Sequence, residues 1–492
     1  MHESFLNCHS SICFLFVHSW LSYSKVRSIT FLRSPRRAEI SLHSTGFVKE
    51  QKLKNLKILK YFIYAFLWSL SLIASHIFYA KIVVGNRKNG RRKNATIAIS
   101  NHPNTLLDPL VCAHRINRFI YYLMNASLFK IRPLGWFLKN TYGIKVERKA
   151  DVNGKKVHNE DAFKQGEEFL GKGGCLYIAP EGTSDIPRRL RKFKTGTARI
   201  ALSAENRKGF KIGLEILPIG LNYSKQTDFR TTLLVNIGEP IRVADYEATF
   251  RKDNFQAALD LTAEMKRRIS HLTIDTLDDN EDAFIRKLEV ILETDNPLAL
   301  PASFDRTKKL IENWRIFQKE NSAEATVFEK KVNEYFSFLE KNKMQDHVIV
   351  DTQQSDSKIT WWMRSLFMVL GFPIFVYGWV NNFLANYIPY FLNKKLDLHP
   401  AYYSAVKVGS GIFTYLIFYG LQIGLVSRFA NESWITWGYI VSLVVTGLFA
   451  WWYKDFAKNT MSGWRILGFP KTEIKEVLEV RKYIVKKLCI LG

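Results

Sequence analysis

The chain has 492 residues, with 71 Lys and Arg against 45 Asp and Glu, and a formal charge of +26. Apolar residues make up 47% and there are only five cysteines, which excludes a disordered chain, a collagen-like repeat and a disulfide scaffold. Mean hydropathy is −0.11 because long charge-free apolar stretches alternate with very basic polar ones, the pattern of a membrane protein with a large water-facing domain.

The positive excess calls for an anionic partner: nucleic acid, anionic lipid or a phosphorylated substrate. Cys8, Cys13, Cys112, Cys175 and Cys489 are scattered and odd in number, which fits a reducing compartment. Their spacing matches no zinc site, and no metal is expected.

Residues 1–50 form an extension of uncertain status. Its apolar run, 11–21, is short and has no Lys or Arg before it, unlike a secretory signal. Residues 51–84 read as a membrane anchor. The stretch 61–80 carries no charged side chain. At about 1.5 Å per residue it just covers a bilayer core of about 30 Å. Basic residues flank it on both sides, so a shallow or re-entrant anchor competes with a crossing.

Residues 85–250 alternate between short apolar strands (96–100, 119–123, 144–146, 176–179, 215–219 and 233–237) and helical stretches (128–139, 161–170 and 195–206). Strand–helix alternation predicts an α/β domain with a mixed, largely parallel sheet flanked by helices, its chemistry beyond the carboxyl ends of the strands. Residues 251–358 read as charged helices and a linker. Residues 359–456 hold three further charge-free stretches, 365–393, 408–427 and 434–453. The last two are joined by six residues and read as a transmembrane hairpin with both ends in the cytoplasm, because its flanks are basic. Pro373, Pro389, Asn381, Asn382 and Asn386 suit a broken or interfacial helix over 365–393, with a true crossing as the alternative. Residues 457–492 read as a basic tail.

Two strand ends carry the chemistry. After the first comes Asn101-His102-Pro103-Asn104-Thr105-Leu106-Leu107-Asp108. A His can take a proton near neutral pH, and a nearby carboxylate can fix its tautomer and stabilise the imidazolium. Taken alone, the same residues also suit a surface His and a helix-start Asp followed by Pro. After the fourth strand comes Pro180-Glu181-Gly182-Thr183-Ser184, where glycine permits a tight turn and close approach to a ligand. Arg188, Arg189, Arg191, Lys192 and Lys194 follow, before the helix opened by Gly196; clustered cations there suit a phosphate, or simply a solvated face. Arg148 ends the third strand and Pro218 lies in the fifth, where it suits an acyl-chain wall or plain core.

In this order, over residues 85–245, the four elements resemble the glycerophospholipid acyltransferases, the phospholipid/glycerol acyltransferase superfamily. His102 and Asp108 resemble its first block, Gly143 to Arg148 its second, Glu181, Gly182 and Thr183 with their neighbours its third, and Leu217 to Gly220 its fourth. One departure stands out. Five residues separate His102 from Asp108, where the common motif has four. That spacing and the long hydrophobic carboxyl-terminal part resemble the fungal-type glycerol-3-phosphate/dihydroxyacetone-phosphate branch.

The resemblance implies a membrane-integrated acyltransferase whose catalytic domain faces the cytoplasm. His102 would be the general base and Asp108 its orienter. Arg148 and Lys194 would hold the acceptor phosphate, Glu181, Gly182 and Thr183 would shape the acceptor site, and Pro218 would face the acyl chain. No cofactor is implied; the co-substrate is an acyl-CoA or acyl carrier protein thioester. The partners are that donor, a glycerol-phosphate or lysophospholipid acceptor and membrane lipids, not nucleic acid. Lysophosphatidate is placed ahead of glycerol 3-phosphate as acceptor. A chain that kept the fold as an inactive membrane lipid-binding scaffold is the competing reading of another class.

Overall fold

The computed structural model describes residues 40–130, 132–147, 159–354 and 358–491. Most of the 1–50 extension, and Arg148, lie outside the described residues. The first elements are α1 (Ile40–Phe78), β1 (Tyr79–Gly85), β2 (Thr96–Ser100), α2 (Leu107–Ala113), β3 (Tyr121–Asn125), α3 (Arg132–Asn140) and β4 (Gly143–Val146). They are followed by α4 (Glu160–Gly171), β5 (Cys175–Ile178), α5 (Gly196–Asn206), β6 (Glu215–Tyr223), β7 (Thr231–Ile237) and β8 (Ile241–Arg242).

The strands form one sheet in the order β1-β7-β6-β2-β5-β3-β4, with β8 beside β6. β2 pairs parallel with β5 and β6, β3 parallel with β4 and β5, and β1 parallel with β7. Among the described residues, only the pairs that β6 makes with β7 and β8 are antiparallel. The mixed, largely parallel sheet expected from the sequence is therefore present.

Alternation along the strands builds two cores, because successive side chains in a strand point to opposite faces. Ile97, Ile99, Leu176, Ile178 and Ile216 face one side, with Leu170 of α4 and Ile200 of α5. Ala98, Tyr177, Leu217, Ile219 and Leu221 face the other, with Phe78 of α1 and Val111 of α2.

Sequence and structure differ in several places in the sheet: β7 begins two residues before the expected 233–237, β8 was not expected, and three further differences have a visible cause. β1 lies in the segment read as the end of the anchor, hidden because its apolar residues continue those of α1. β3 runs two residues later than expected, with Tyr121 in register with Leu176 of β5. β6 is four residues longer, because Ile219 to Tyr223 pair with β7. Gly220 lies inside the added stretch. Its real constraint is contact: a Cβ there would sit 2.1 Å from the Leu272 carbonyl oxygen.

Helices α6 (Glu247–Lys252) and α7 (Asn254–Leu272) close the first core, with Leu261, Met265 and Ile269 turned inward. Next come α8 (Asp279–Asp295), α9 (Leu300–Glu320), α10 (Ser322–Lys341) and α11 (Asp346–Gln354), which share a separate core built on Trp314, Phe328 and Ile349. Then follow α12 (Lys358–Lys395), α13 (Tyr403–Phe429), α14 (Ser433–Gly468) and α15 (Lys471–Leu491). The segment read as a basic tail is thus largely the ordered helix α15, whose Ile484 and Leu488 enter the separate core together with Trp361 of α12 and Ile466 of α14. Arg481 of α15 is buried there. Its Nε donates to Asp346 Oδ1 at 2.7 Å and its Nη2 to Asp295 Oδ1 at 2.6 Å, while Tyr335 also donates to Asp346 at 2.6 Å.

Among the described residues, four helices are long and apolar enough to cross a membrane: Leu59–Phe78, Ile359–Lys395, Pro400–Phe429 and Ser433–Gly468. α12 is not broken. It runs through Pro373 and Pro389 without interruption. Its asparagines meet tyrosines of the next two helices: Asn381 accepts from Tyr439 at 2.8 Å, Asn382 from Tyr419 at 2.6 Å, and Asn386 from Tyr415 at 2.8 Å. Close backbone approach accompanies this, since a Cβ at Gly378 would lie 2.1 Å from the Thr446 carbonyl oxygen of α14.

Arg481→Leu leaves the buried Asp346 without its counter-charge. The expected cost is about 3–5 kcal/mol, the usual penalty for breaking a buried pair from one side. It is read as a lower thermal midpoint of the purified protein.

Candidate active site

β2, β5 and β6 run parallel, so their carboxyl ends meet at one edge of the sheet. The loops leaving β2 and β5 and the last residues of β6 build the site. Asn101 extends β2 by one step, with its side-chain amide donating to the Leu221 carbonyl at 2.9 Å and its side-chain oxygen accepting the Leu221 N–H at 2.8 Å. That double bond to β6 places the next residue, His102, above the edge.

His102 Nδ1 lies 2.9 Å from Asp108 Oδ2. The His102 side chain is 17% exposed and Asp108 is fully buried at 0%. A carboxylate accepts only, so Nδ1 carries the proton and the lone pair of Nε2 points away from Asp108. Asp108 is not the helix cap that its position before Pro109 also suggested: it sits inside the first turn of α2, whose N-cap position is Leu106. Besides His102, it accepts the Asn104 N–H at 2.7 Å on Oδ2 and the Tyr223 hydroxyl at 2.6 Å on Oδ1. Burial, and next the negative charge of Asp108, push the Tyr223 hydroxyl well above its ordinary pKa, so it stays a donor.

Glu181 stands next to this pair. Its Oε1 accepts the backbone N–H of His102 at 3.1 Å and its Oε2 the N–H of Arg191 at 3.3 Å. Burial raises its pKa, with the two backbone donors pulling the other way. Glu181 therefore ties the β2 loop to the β5 loop.

Gly182 adopts φ +68, and a Cβ there would fall 2.6 Å from Lys194 Nζ. The turn thus favours glycine for its backbone, and any side chain there would push Lys194 aside. The Gly182 N–H donates to the Ala179 carbonyl at 3.1 Å, which closes the turn. Thr183 is exposed on the same loop. Pro218 is buried in β6 opposite Ile99, beside Gly238, and is absent from the lining of the pocket that holds His102.

The basic run divides. Arg188 Nε donates to Asp282 at 2.6 Å and its Nη1 to Glu289 at 2.8 Å, so it joins the β5 loop to α8. Its Nη2 is buried without a partner among the described residues, and Arg188 lines the pocket together with His102, Glu181 and Gln226. Arg191 pairs with Asp185 and Arg189 lies 3.6 Å from Asp279. Asn101, Asn104, Tyr223 and Gln226 are the site residues that sequence reading passed over. The two asparagines flank His102 in the motif and are its visible signal; Tyr223 and Gln226 arrive through the sheet. Among the described residues, no group of three His, Cys, Asp or Glu is placed to hold a metal.

Residues 81–222 match the family model described as Acyltransferase. The chain carries an acyltransferase domain. Over 212 residues, 41% of this chain, it is 24% identical to glycerol-3-phosphate O-acyltransferase 1 of Saccharomyces cerevisiae. Over 100 residues, 20% of this chain, it is 31% identical to glycerol-3-phosphate O-acyltransferase 2 of the same yeast. An uncharacterized acyltransferase of Schizosaccharomyces pombe is 25% identical over 192 residues, 38% of this chain. The matched segments span 27%, 13% and 28% of those three relatives' own lengths. Among solved structures, the 1-acyl-sn-glycerophosphate acyltransferase PlsC of Thermotoga maritima is 18% identical, with a TM-score of 0.31 over 46% of this chain and 90% of that one.

Tyr223→Phe removes one donor from a buried carboxylate, and hydrogen bonds to charged groups are worth about 1.5–3 kcal/mol. The thermal midpoint of this variant is expected to fall by a matching amount, read by unfolding of the purified protein. Gly182→Ala forces a strained turn and displaces Lys194. It is expected to lower the thermal midpoint of the purified protein, read by unfolding against wild type.

Proposed function

We propose that this acyltransferase moves a fatty acyl group from a thioester, on coenzyme A or acyl carrier protein, to a hydroxyl of a glycerol-phosphate acceptor. The observation that carries the reading is the 2.9 Å contact between His102 Nδ1 and a buried Asp108, at the carboxyl edge of the sheet. His102 Nε2 takes the proton of the acceptor hydroxyl as its oxygen attacks the thioester carbonyl. Asp108 stabilises the imidazolium, and the thiolate leaves as the tetrahedral intermediate collapses. The acceptor phosphate lies against the cations of the β5 loop, Lys194 and Arg188 Nη2, with Arg148 from the β4 end as a further candidate. Glu181 holds the backbone of His102 in place.

Of the two acceptors, glycerol 3-phosphate is put first here, ahead of the lysophosphatidate favoured from the sequence. Its support is the name borne by the two Saccharomyces cerevisiae relatives and the five-residue spacing between His102 and Asp108. The four apolar helices would hold the protein in a membrane, and the basic flanks of α13 and α14 favour a cytoplasmic catalytic domain.

The test is acyl transfer by detergent-solubilised protein from one labelled long-chain acyl-CoA to glycerol 3-phosphate and to 1-acylglycerol 3-phosphate in parallel. Lysophosphatidate from the first acceptor is expected, and phosphatidate from the second alone would reverse the order. His102→Ala is expected to lower the rate by about 10²–10⁴, the range of general-base catalysis. An unchanged rate would remove His102 as base.

A further inference from the structure

The catalytic loop is held from a distant part of the chain. Asn104, whose N–H donates to Asp108, sends its side-chain amide to the Gln226 carbonyl at 3.0 Å. The same carbonyl accepts the Ser404 hydroxyl at 2.7 Å. Ser404 belongs to the first turn of α13 and is fully buried at 0%; Gln226 is 6% exposed. The Gln226 side chain donates to the Ile186 carbonyl of the β5 loop at 2.8 Å, so one residue touches three elements around the pocket.

Two neighbouring bonds reinforce the contact. Lys407 Nζ donates to the Thr227 carbonyl at 2.7 Å, and Thr105 Oγ1 to the Ala401 carbonyl at 3.2 Å. Thr105 stands between His102 and Asp108 at φ +26, a conformation that a β-branched residue keeps only when its surroundings impose it. The span that is one residue longer than the common motif is therefore also the span that reaches the turn before α13.

We propose that the start of α13 is a positioning element of the active site. Ser404, acting through the Gln226 carbonyl and Asn104, fixes the backbone that presents a donor to Asp108 and so sets the orientation of His102. The proposal rests on the reading of His102 and Asp108 as base and orienter. A carbonyl oxygen has two lone pairs, and here each takes one donor, from the catalytic loop and from α13. Removing either donor loosens the same link, so the two losses must overlap rather than multiply.

The test uses the full chain in detergent and a double-mutant cycle of Ser404→Ala and Asn104→Ala, with kcat and thioester KM measured for each. Each single change is expected to lower kcat about tenfold, a hydrogen bond's worth, and to leave the thioester KM within about twofold. The double variant is expected to be no slower than the slower single one, and Ser404→Thr, which restores the hydroxyl, to recover most of kcat. Multiplicative losses, wild-type kcat in Ser404→Ala, or no recovery in Ser404→Thr despite an unchanged thermal midpoint would overturn the positioning role. His102→Ala serves as the separate control. If it keeps the wild-type rate, the base assignment fails and the positioning proposal with it; if it is inactive while the cycle is multiplicative, only the positioning proposal fails.

Discussion

A carboxylate removed from water costs several kcal/mol unless donors replace the lost solvent, and Asp108 is removed completely. Three donors reach it, from the His102 ring, the Asn104 backbone and the Tyr223 hydroxyl. Satisfying all three at once dictates much of the local architecture. The loop after β2 must curl back within six residues, β6 must extend past its pairing with β2 to bring Tyr223 over, and α2 must begin with Asp108 turned inward. The same bonds leave one nitrogen of His102 turned away from the carboxylate, so the burial that makes Asp108 expensive also gives His102 a defined tautomer.

How far this was legible in the sequence follows from the distance between partners. His102 and Asp108 stand six positions apart in one loop after a strongly apolar strand, and the parallel sheet was readable from the strand–helix alternation. Tyr223 is 115 positions from Asp108 and Ser404 is 178 from Gln226. Those contacts depend on sheet register and helix docking, which local pattern does not carry. Pro218 was open to two readings, an acyl-chain wall or plain core. In the folded chain it is buried in β6, and Gly220 makes room for the end of α7.

Charge was legible in sum and not in detail. An excess of +26 suggested an open cationic face. In the folded chain, several cations of the conspicuous run are spoken for by acids: Arg188 by Asp282 and Glu289, Arg191 by Asp185. The most deeply placed member of the run thereby fastens the helical region to the rim of the site. Lys194 follows a different logic, lying along a glycine whose missing side chain gives it passage.

The two ends of α12 are anchored differently. Trp361, near its start, packs in the core of the helical region, while beyond its other end Ala401 accepts from Thr105 of the β2 loop and Ser404 donates to the Gln226 carbonyl. α14 returns to the helical core at Ile466, and α15 adds Ile484 and Leu488. That core is thus assembled from residues on both sides of the three long apolar helices in the sequence. It cannot be completed until the whole apolar stretch has been made, so cutting the chain within that stretch removes part of a core that lies outside it.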